Sequence, residues 1–499
     1  MRNAIAIKVN FRGGIISPGD LLDILNLLSE ENLLFVRFGL RQQLYIDVTE
    51  YALSKISKGL KELNIFFEIN KDDHPNIVSS YPAEEIFISN TWLSEGIYKD
   101  ILDEMTYKPK LKINISDSNQ SFTPMLTGNI NWVASNSTAN YWHLLIRFPK
   151  TNVIYEWTEM IYTNDIASIS KEIEAVIFNH KELFYDKKDA SGDLLFSYIS
   201  IEKYITKKAE TPARLPQFNL PYYEGLNSYN NKLWLGIYRR DESFSIAFLK
   251  DLCRICLETK IGQLCSTPWK TIIVKGIELK DRDKWSIILD KHEINMRHAA
   301  NELNFQVEDN SYLGLELKKD IVKYLNNMDT RSFGICIGIK TSRKSEVFSS
   351  ILIKRKPLIR IGHVQLFFVY DILCAHNFNP NERTGFVFSK NNPKIFLQEE
   401  LRRAITYYYH KNANVLPSNH SLVGDRISIS KKEEKIYVHQ CKHCFTIYDQ
   451  HIGEPENSIP PGISFDALPN GYVCSTCEGA KEDFVKVEKL IPTKNQVLL

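Results

Sequence analysis

The sequence predicts an α+β protein built from a duplicated body and a small C-terminal module that binds a metal ion. Two observations support this prediction. The order of strands and helices in the first 65 residues returns about 229 residues later, and two CxxC pairs stand near the C-terminus. The 499 residues are 43% hydrophobic and 11% aromatic, which is enough for about three packed domains and excludes a disordered chain.

The first copy of the repeat reads as strand, helix, strand, strand, helix. Ser17 and Pro18 are typical of a helix start, and Thr49 is placed to cap a second helix. Hydrophobic periodicity predicts strands over 4–11, 34–40 and 44–48, and helices over 20–30 and 50–63.

The second copy repeats this order with different residues. Ser243 is the predicted cap of its first helix, and a short strand precedes Trp269. The other predicted elements are strands over 233–239 and 271–274 and helices over 244–258 and 281–292. Two copies of one unit predict an internal pseudo-twofold axis.

Each copy is followed by a longer α/β stretch, and a polar, charged segment separates the body from the module. The predicted domains are 1–68 (first copy), 69–215 (first α/β stretch), 216–294 (second copy), 295–410 (second α/β stretch), 411–435 (linker) and 436–488 (module).

The charge and hydropathy of the sequence limit the kinds of partner and the cellular location that we expect for the protein. With 62 Lys and Arg against 60 Asp and Glu, the net charge of +2 gives no argument for nucleic acid or a membrane as partner. No run of about 18 apolar residues occurs and no leader pattern precedes the first strand, so we expect a cytoplasmic protein. Residues 441–486 hold seven acids and three bases, a net charge of −4 that leaves +6 for the remainder.

The two CxxC pairs predict a metal site. Cys441 and Cys444 are separated from Cys474 and Cys477 by 29 residues, 445–473. Two thiolates from each loop complete a tetrahedral shell of four sulfurs, which suits zinc or iron. On spacing alone, a structural zinc ribbon remains the alternative to an iron centre.

The residues between the pairs decide for iron, because they resemble rubredoxin. The matching positions are Tyr448, Asp449, Gly453, Pro461, Gly462, Phe465, Leu468, Pro469, Tyr472, Val473, Lys481 and Phe484. The resemblance implies one mononuclear iron ion bound by Cys441, Cys444, Cys474 and Cys477, and single-electron transfer. It also implies a small aromatic core of Tyr448, Phe465, Tyr472 and Phe484.

Three positions depart from the rubredoxin pattern. Phe445 and Glu478 stand where glycine normally follows each CxxC, and Ser475 stands where proline is usual. Glycine tolerates a positive φ, so we expect strain at the larger residues. We also expect the carboxylate of Glu478 to favour Fe(III) and lower the reduction potential.

Four short motifs of the body resemble the nitrite/sulfite reductase superfamily. They are R-x-x-x-R-Q at 37–42, T-P-W-K at 267–270, K-L-K-I-N-I-S at 110–116 and G-N-I-N-W-V at 128–133. The resemblance implies that basic side chains bind siroheme carboxylates and an anionic substrate. The residues that it assigns are Arg37, Arg41, Lys110, Lys112 and Lys270.

The cluster motif of that family, C-x5-C followed by C-x3-C, is absent. If Cys336 and Cys374 open the two pairs, Ser342 and Phe378 occupy the partner positions. Because a [4Fe-4S] cluster normally needs four thiolates, we do not expect one here. Whether the body binds siroheme is left open by the sequence.

The favoured hypothesis is an electron-transfer protein, a rubredoxin-like module tethered to a reductase-like body. Its partner is a separate redox protein or its own body. The alternative is a siroheme-type nitrite/sulfite reductase with rubredoxin as built-in electron donor. A third hypothesis is a scaffold with a structural zinc ribbon.

Overall fold

The computed structural model describes residues 5–88, 91–296, 298, 300–342, 347–361, 364–413, 437–443, 446–450, 453, 454, 457 and 459–488. The chain divides into two compact units, Met1–Leu416 and Pro417–Leu499. We call the first unit the body and the second the module. Among the residues described, no helix is long and apolar enough to cross a membrane.

The first copy of the repeat contains the five predicted elements in their predicted order and two further short strands, Ile15–Ile16 and Phe67–Ile69. The Ser17 hydroxyl accepts a hydrogen bond from the Asp20 amide, and Thr49 accepts one from Ala52, so both predicted caps are confirmed. The elements are β1 (Ile5–Val9), β2 (Ile15–Ile16), α1 (Pro18–Glu30), β3 (Phe35–Phe38), β4 (Leu44–Val48), α2 (Glu50–Glu62) and β5 (Phe67–Ile69).

The first α/β stretch forms a seven-stranded sheet of order β12-β11-β9-β8-β7-β6, with β10 paired to β9. Its strands are β6 (Val78–Ser79), β7 (Ile113–Ser116), β8 (Ile130–Ala134), β9 (Tyr141–Arg147), β10 (Ile154–Glu156), β11 (Glu159–Tyr162) and β12 (Thr206–Lys208). Its helices are α3 (Glu95–Glu104), α4 (Ile166–Asn179), α5 (Lys181–Phe184) and α6 (Gly192–Ser197). Trp132 and Trp142 lie fully buried at its centre.

The second copy contains two strands that the sequence did not predict, Gly225–Tyr229 and Ser243–Ser245. Ser243 does not cap the helix, because it begins a short strand, and Ser245 is the residue that precedes the helix. The elements are β13 (Gly225–Tyr229), β14 (Lys232–Ile237), β15 (Ser243–Ser245), α7 (Ile246–Glu258), β16 (Leu264–Ser266), β17 (Ile272–Glu278) and α8 (Arg282–Lys291).

The second α/β stretch forms a five-stranded sheet of order β18-β19-β20-β21-β22. Its elements are α9 (Ala300–Leu303), β18 (Phe305–Val307), α10 (Tyr312–Asn327), β19 (Ile337–Lys340), β20 (Ile351–Ile361), β21 (Val364–Ala375), β22 (Gly385–Asn392) and α11 (Lys394–Ala413). Helix α11 continues to Ala413, three residues into the predicted linker. The rest of the predicted linker, 414–435, lies outside the described residues.

The two copies exchange a strand with each other. The first sheet has the order β15-β3-β4-β1-β5 and the second β2-β16-β17-β14-β13. Each sheet therefore contains one strand from the other copy, and in both copies that strand leads into a helix, α1 or α7. These two helices pack against each other, and one apolar core spans both copies. The arrangement confirms the predicted pseudo-twofold.

The module has a three-stranded antiparallel sheet of order β24-β23-β25. The strands are β23 (Tyr437–Cys441), β24 (Ile447–Tyr448) and β25 (Phe484–Glu488). Cys441 is the last residue of the central strand and pairs with Phe484. The sheet therefore fixes the position of one predicted metal ligand.

Removing the Phe244 ring should destabilise the body. Phe244 lies on the exchanged strand β15, is fully buried, and packs edge-on against Phe38 with ring centroids 5.3 Å apart. We expect Phe244→Ala to lower the free energy of unfolding by about 3–5 kcal/mol. Urea unfolding followed by tryptophan fluorescence measures this, because all seven tryptophans lie between residues 92 and 285.

Ile395→Ala serves as the control, because Ile395 is 79% exposed on α11 and should change the stability by less than about 0.5 kcal/mol. Equal effects of the two variants would contradict the shared core.

Candidate metal centre and body cavity

Three of the four predicted metal ligands meet at one point of the module. The sulfurs of Cys441, Cys474 and Cys477 all lie within 4.8 Å of one another, and those of Cys441 and Cys477 are 3.6 Å apart. Metal–sulfur bonds of about 2.3 Å in a tetrahedron separate the sulfurs by about 3.8 Å. The three thiols therefore fit a tetrahedral metal shell. Cys444, the fourth predicted ligand, lies outside the described residues, as does Phe445.

The second cysteine loop folds back on itself through its backbone. The Glu478 amide donates to the Cys474 carbonyl at 2.9 Å, and the Cys474 amide donates to the Gly479 carbonyl at 2.8 Å. Gly479 lies beside the site, because a Cβ there would be 3.5 Å from the sulfurs of both Cys441 and Cys477, an ordinary contact distance. Glu478 has a φ of +60°, so the predicted strain at this position is confirmed.

The predicted aromatic core beside the cysteines is confirmed. Tyr448, Phe465, Tyr472 and Phe484 are buried, and Phe465 and Phe484 have ring centroids 5.1 Å apart. Sequence reasoning missed His439, which stacks on Phe465 with ring centroids 4.1 Å apart. Cys441 and Cys474 belong to this same buried cluster, while Cys477 is exposed. The side of the site formed by Cys441 and Cys474 is therefore shielded from water, and the side formed by Cys477 reaches the protein surface.

Ser475, which replaces the usual proline, has a structural role. Its hydroxyl donates to the Glu454 carboxylate at 2.6 Å. The same carboxylate accepts from the Asn457 side chain at 2.9 Å, and that side chain also donates to the Val473 carbonyl at 3.2 Å. These hydrogen bonds join the cysteine loop to the segment before it. Sequence reasoning missed Glu454 and Asn457, because they lie far from the cysteines along the chain.

The body contains a cavity of about 1040 Å³ with a basic lining. Its lining includes both α/β stretches and the loop between β3 and β4. The basic residues are Arg41, Lys110, Lys112, Arg147, Lys150, Lys340 and Arg383, and the acidic residues are Asp72, Glu308 and Asp309. The excess of cations favours an anionic ligand. Three of the five predicted binding residues, Arg41, Lys110 and Lys112, lie on this lining.

Arg41 is held in place by the body itself. Its guanidinium donates to the Asn76 carbonyl at 2.8 and 3.0 Å and to the Ile113 carbonyl at 2.9 Å. Arg37 is not on the cavity lining. It forms a two-point ion pair with Asp47 at 2.7 and 2.8 Å and donates to Asn310 at 2.9 Å.

Lys270 is likewise paired within the body. It is buried, and its ammonium lies 2.6 Å from the Glu242 carboxylate and 3.3 Å from that of Asp309. Because a buried charge needs a close partner, these carboxylates stabilise the lysine without a ligand. Arg37 and Lys270 are thus neutralised inside the protein.

The turn at 308–310 brings the basic motifs together. Asp309 accepts from the Leu40 amide at 3.1 Å and from Gln43 at 3.2 Å. Glu308 accepts from the Thr341 amide at 2.9 Å and from the Ser342 hydroxyl at 2.8 Å. Burial raises the pKa of Asp309 above its usual range. Sequence reasoning missed this turn, since Glu-Asp-Asn is an ordinary surface pattern.

The cysteines of the second α/β stretch lie in apolar surroundings. Cys336 and Cys374 are fully buried, and burial raises the pKa of each thiol to about 12. Cys374 lies on the cavity lining. In the described part of the body, Cys, His, Asp and Glu side chains form no group of three suited to a metal ion.

The rubredoxin family profile matches residues 438–484. Rubredoxin-2 of Chlorobaculum tepidum is 42% identical over 48 residues, which cover 92% of that protein and 10% of this chain. The chain belongs to the rubredoxin family through this module. Rubredoxin 4 of Rhodococcus sp. (strain Q15) is 41% identical over 51 residues, with 85% of its length and 10% of this chain covered.

The body is similar to a solved structure, the NirA protein of Mycobacterium tuberculosis. The TM-score is 0.61 at 13% identity, with 84% of this chain and 82% of that chain covered. The likeness shows the fold of the body. The protein is therefore a rubredoxin module fused to a NirA-like body.

The rubredoxin module fits a mononuclear iron ion. Its described donors are three thiols, and soft thiolates suit iron. The NirA-like body would allow a tetrapyrrole such as siroheme, because the cavity is large and basic.

Replacing Glu478 should separate its charge from its backbone strain. We expect Glu478→Gly to raise the reduction potential, because a nearby negative charge is lost, and to stabilise the module by about 1 kcal/mol, because glycine tolerates the positive φ. Glu478→Gln should raise the potential without stabilising the module. Spectroelectrochemistry measures the potential, and guanidinium unfolding followed by visible absorbance measures the stability. A potential that does not rise in either variant would contradict the role of this carboxylate.

Proposed function

We propose that this protein carries single electrons through its rubredoxin module, and that its partner is a separate redox protein or its own NirA-like body. The observation that supports this proposal most strongly is the meeting of Cys441, Cys474 and Cys477 in a module of the rubredoxin family. An iron ion held by four thiolates alternates between Fe(III) and Fe(II). The rubredoxin module thus supplies the electron-transfer centre.

The residues of the module divide this task between them. Cys441 and Cys474 are buried beside the aromatic core, which excludes water from one side of the site. Cys477 is exposed, so electrons can enter or leave at that edge without deep contact. The hydrogen bond of Ser475 to Glu454 holds the second loop in place, which limits the rearrangement that accompanies a change of charge.

We also propose a cytoplasmic location. The site needs reduced thiols, and reducing compartments keep cysteines in that state. The described cysteines of the body are buried thiols, and none of them forms a disulfide.

Metal content should depend on the module cysteines alone. We expect the full chain to hold one iron ion, and Cys474→Ala to lose nearly all of it, because a three-sulfur shell binds metal weakly. Cys253→Ala is the matched control, since Cys253 is fully buried in the body on α7. Iron and zinc analysis of the purified proteins measures this. Iron retained in Cys474→Ala, or zinc in place of iron in the unchanged protein, would contradict the proposal.

The cavity favours a second function, binding of an anionic tetrapyrrole by the body, as in a siroheme-type reductase. We propose Lys110 and Lys112 as its binding residues, since both lie on the lining, and Arg41 as a third that its carbonyl partners orient. Arg37 and Lys270 can bind the tetrapyrrole only if their ion pairs within the protein open. Purification of the protein from cells with intact siroheme synthesis tests this second function. Soret bands in the visible spectrum that weaken in Lys112→Ala would support a reductase. If the unchanged protein shows no Soret bands, the body binds no tetrapyrrole.

A further inference from the structure

A second pocket of the body, separate from the basic cavity, lies beside helix α10. It has a volume of about 310 Å³, and its lining shares no residue with that of the cavity. Helix α10, helix α9 and the loop between β14 and β15 supply the lining, and we call this space the α10 pocket. Its basic residues are Arg240, Lys318, Lys319 and Lys323, and its acidic residue is Glu302. The excess of cations favours an anion as ligand.

Lys318 has an unusual position for a lysine. It is only 4% exposed, and it lies on the buried face of α10 with Leu317, Ile321 and Leu325. A lysine is almost never buried without a charged partner, because removing its ammonium from water costs free energy. An anion is therefore expected beside the Lys318 ammonium.

The body itself does not supply that anion at close range. Among the described residues, the Lys318 ammonium donates to the Tyr238 hydroxyl at 2.8 Å and forms no ion pair. The nearby carboxylates hold other cations: Glu302 accepts from Arg240 at 2.7 and 2.8 Å, and Glu242 pairs with a different lysine at 2.6 Å. An ammonium has three N–H donors, so two of those of Lys318 have no acceptor in the described part of the chain.

The ammonium of Lys318 carries its charge in spite of its burial. Burial lowers the pKa of this group, but Tyr238 and Glu242 raise it, and the resulting pKa lies above the usual value for lysine. The positive charge is therefore present at neutral pH.

The mouth of the α10 pocket offers further donors. Lys319 and Lys323 follow on the same helix and are exposed. Lys319 pairs with Asp241 at 2.8 Å, whereas Lys323 has no ion pair among the described residues. The side-chain oxygen of Asn326 accepts from Asn301 at 3.0 Å, which leaves its amide N–H groups for a ligand. Ammonium and amide donors around one small space are groups that bind phosphate.

We propose that the α10 pocket binds the phosphate group of a small ligand, with the Lys318 ammonium at the buried end of the pocket and Lys323 at its mouth. A doubly charged phosphate matches a lining in which cations outnumber carboxylates. Its oxygens supply the acceptors that the Lys318 ammonium lacks. The site is separate from the electron-transfer centre and from the basic cavity, so this inference goes beyond the proposed function.

Lysine acetylation of the full chain, mapped by mass spectrometry, tests the proposal at single residues. Sulfosuccinimidyl acetate modifies exposed lysines, and a phosphate at the mouth of the pocket shields Lys323. We expect about 10 mM inorganic phosphate to slow acetylation of Lys323 at least threefold, relative to sodium chloride of equal ionic strength. Lys58, whose side chain is 80% exposed on α2, should react at the same rate in both solutions.

Two variants assign the protection to the α10 pocket. Lys318→Met removes the ammonium and keeps an unbranched side chain, so we expect the protection of Lys323 to be lost. Asn326→Asp keeps the acceptor for Asn301 and adds a negative charge at the mouth, so it should weaken the protection at least twofold. Lys284→Met, at an exposed position of α8, is the matched control and should leave the protection unchanged. Urea unfolding shows whether each variant is folded.

Two probes distinguish the sources of the phosphate group. AMP carries its phosphate on a nucleoside, whereas inorganic phosphate is the free ion. Protection of Lys323 by AMP at a lower concentration than by inorganic phosphate assigns the site to a phosphomonoester. Protection by inorganic phosphate at an equal or lower concentration assigns it to the free ion.

Three results would overturn the proposal. They are a rate of Lys323 acetylation that neither probe changes, equal protection of Lys58, and protection that persists in Lys318→Met. If Lys318→Met does not fold, unchanged protection in Asn326→Asp contradicts the proposal instead. None of these measurements depends on iron, a tetrapyrrole or electron transfer, so failure of this site leaves the proposed function untouched.

Discussion

The two cysteine loops of the rubredoxin module must bring their sulfurs into one coordination shell, and most of the module serves that requirement. The central strand ends at Cys441, the aromatic core packs behind Cys441 and Cys474, and backbone hydrogen bonds close the second loop. The backbone strain of this geometry lies at Glu478, whose φ is in the left-handed region. A position usually held by glycine thus acquires a charge beside the metal.

The body combines two exchanged copies of one unit with basic residues in two different surroundings. Its two copies exchange strands and share a core, an arrangement that agrees with the pseudo-twofold predicted from the repeat. The basic residues of the reductase-like motifs divide into two groups. Arg41, Lys110 and Lys112 face the cavity, whereas Arg37 and Lys270 are paired with Asp47, Glu242 and Asp309. Arg37 and Lys270 therefore have their positive charges balanced by carboxylates of the protein itself.

Local signals in the sequence predicted the features that depend on neighbouring residues. The caps at Ser17 and Thr49 are local, and the metal site follows from the spacing of cysteines. The repeat predicted the pseudo-twofold because similar elements recur in the same order. Features made by distant contacts were missed: Ser243 pairs with Arg37 across the two copies, and the turn at 308–310 reaches loops more than 260 residues earlier. Helix propensity alone did not show that α11 continues to Ala413.

A redox titration of the purified full chain, followed by its visible spectrum and accompanied by metal analysis, tests the central claim most directly. The account predicts one iron ion per chain and thiolate-to-iron absorption bands that disappear and return reversibly in a single one-electron step. Zinc in place of iron, or bands that do not respond to potential, would contradict an electron-carrying role.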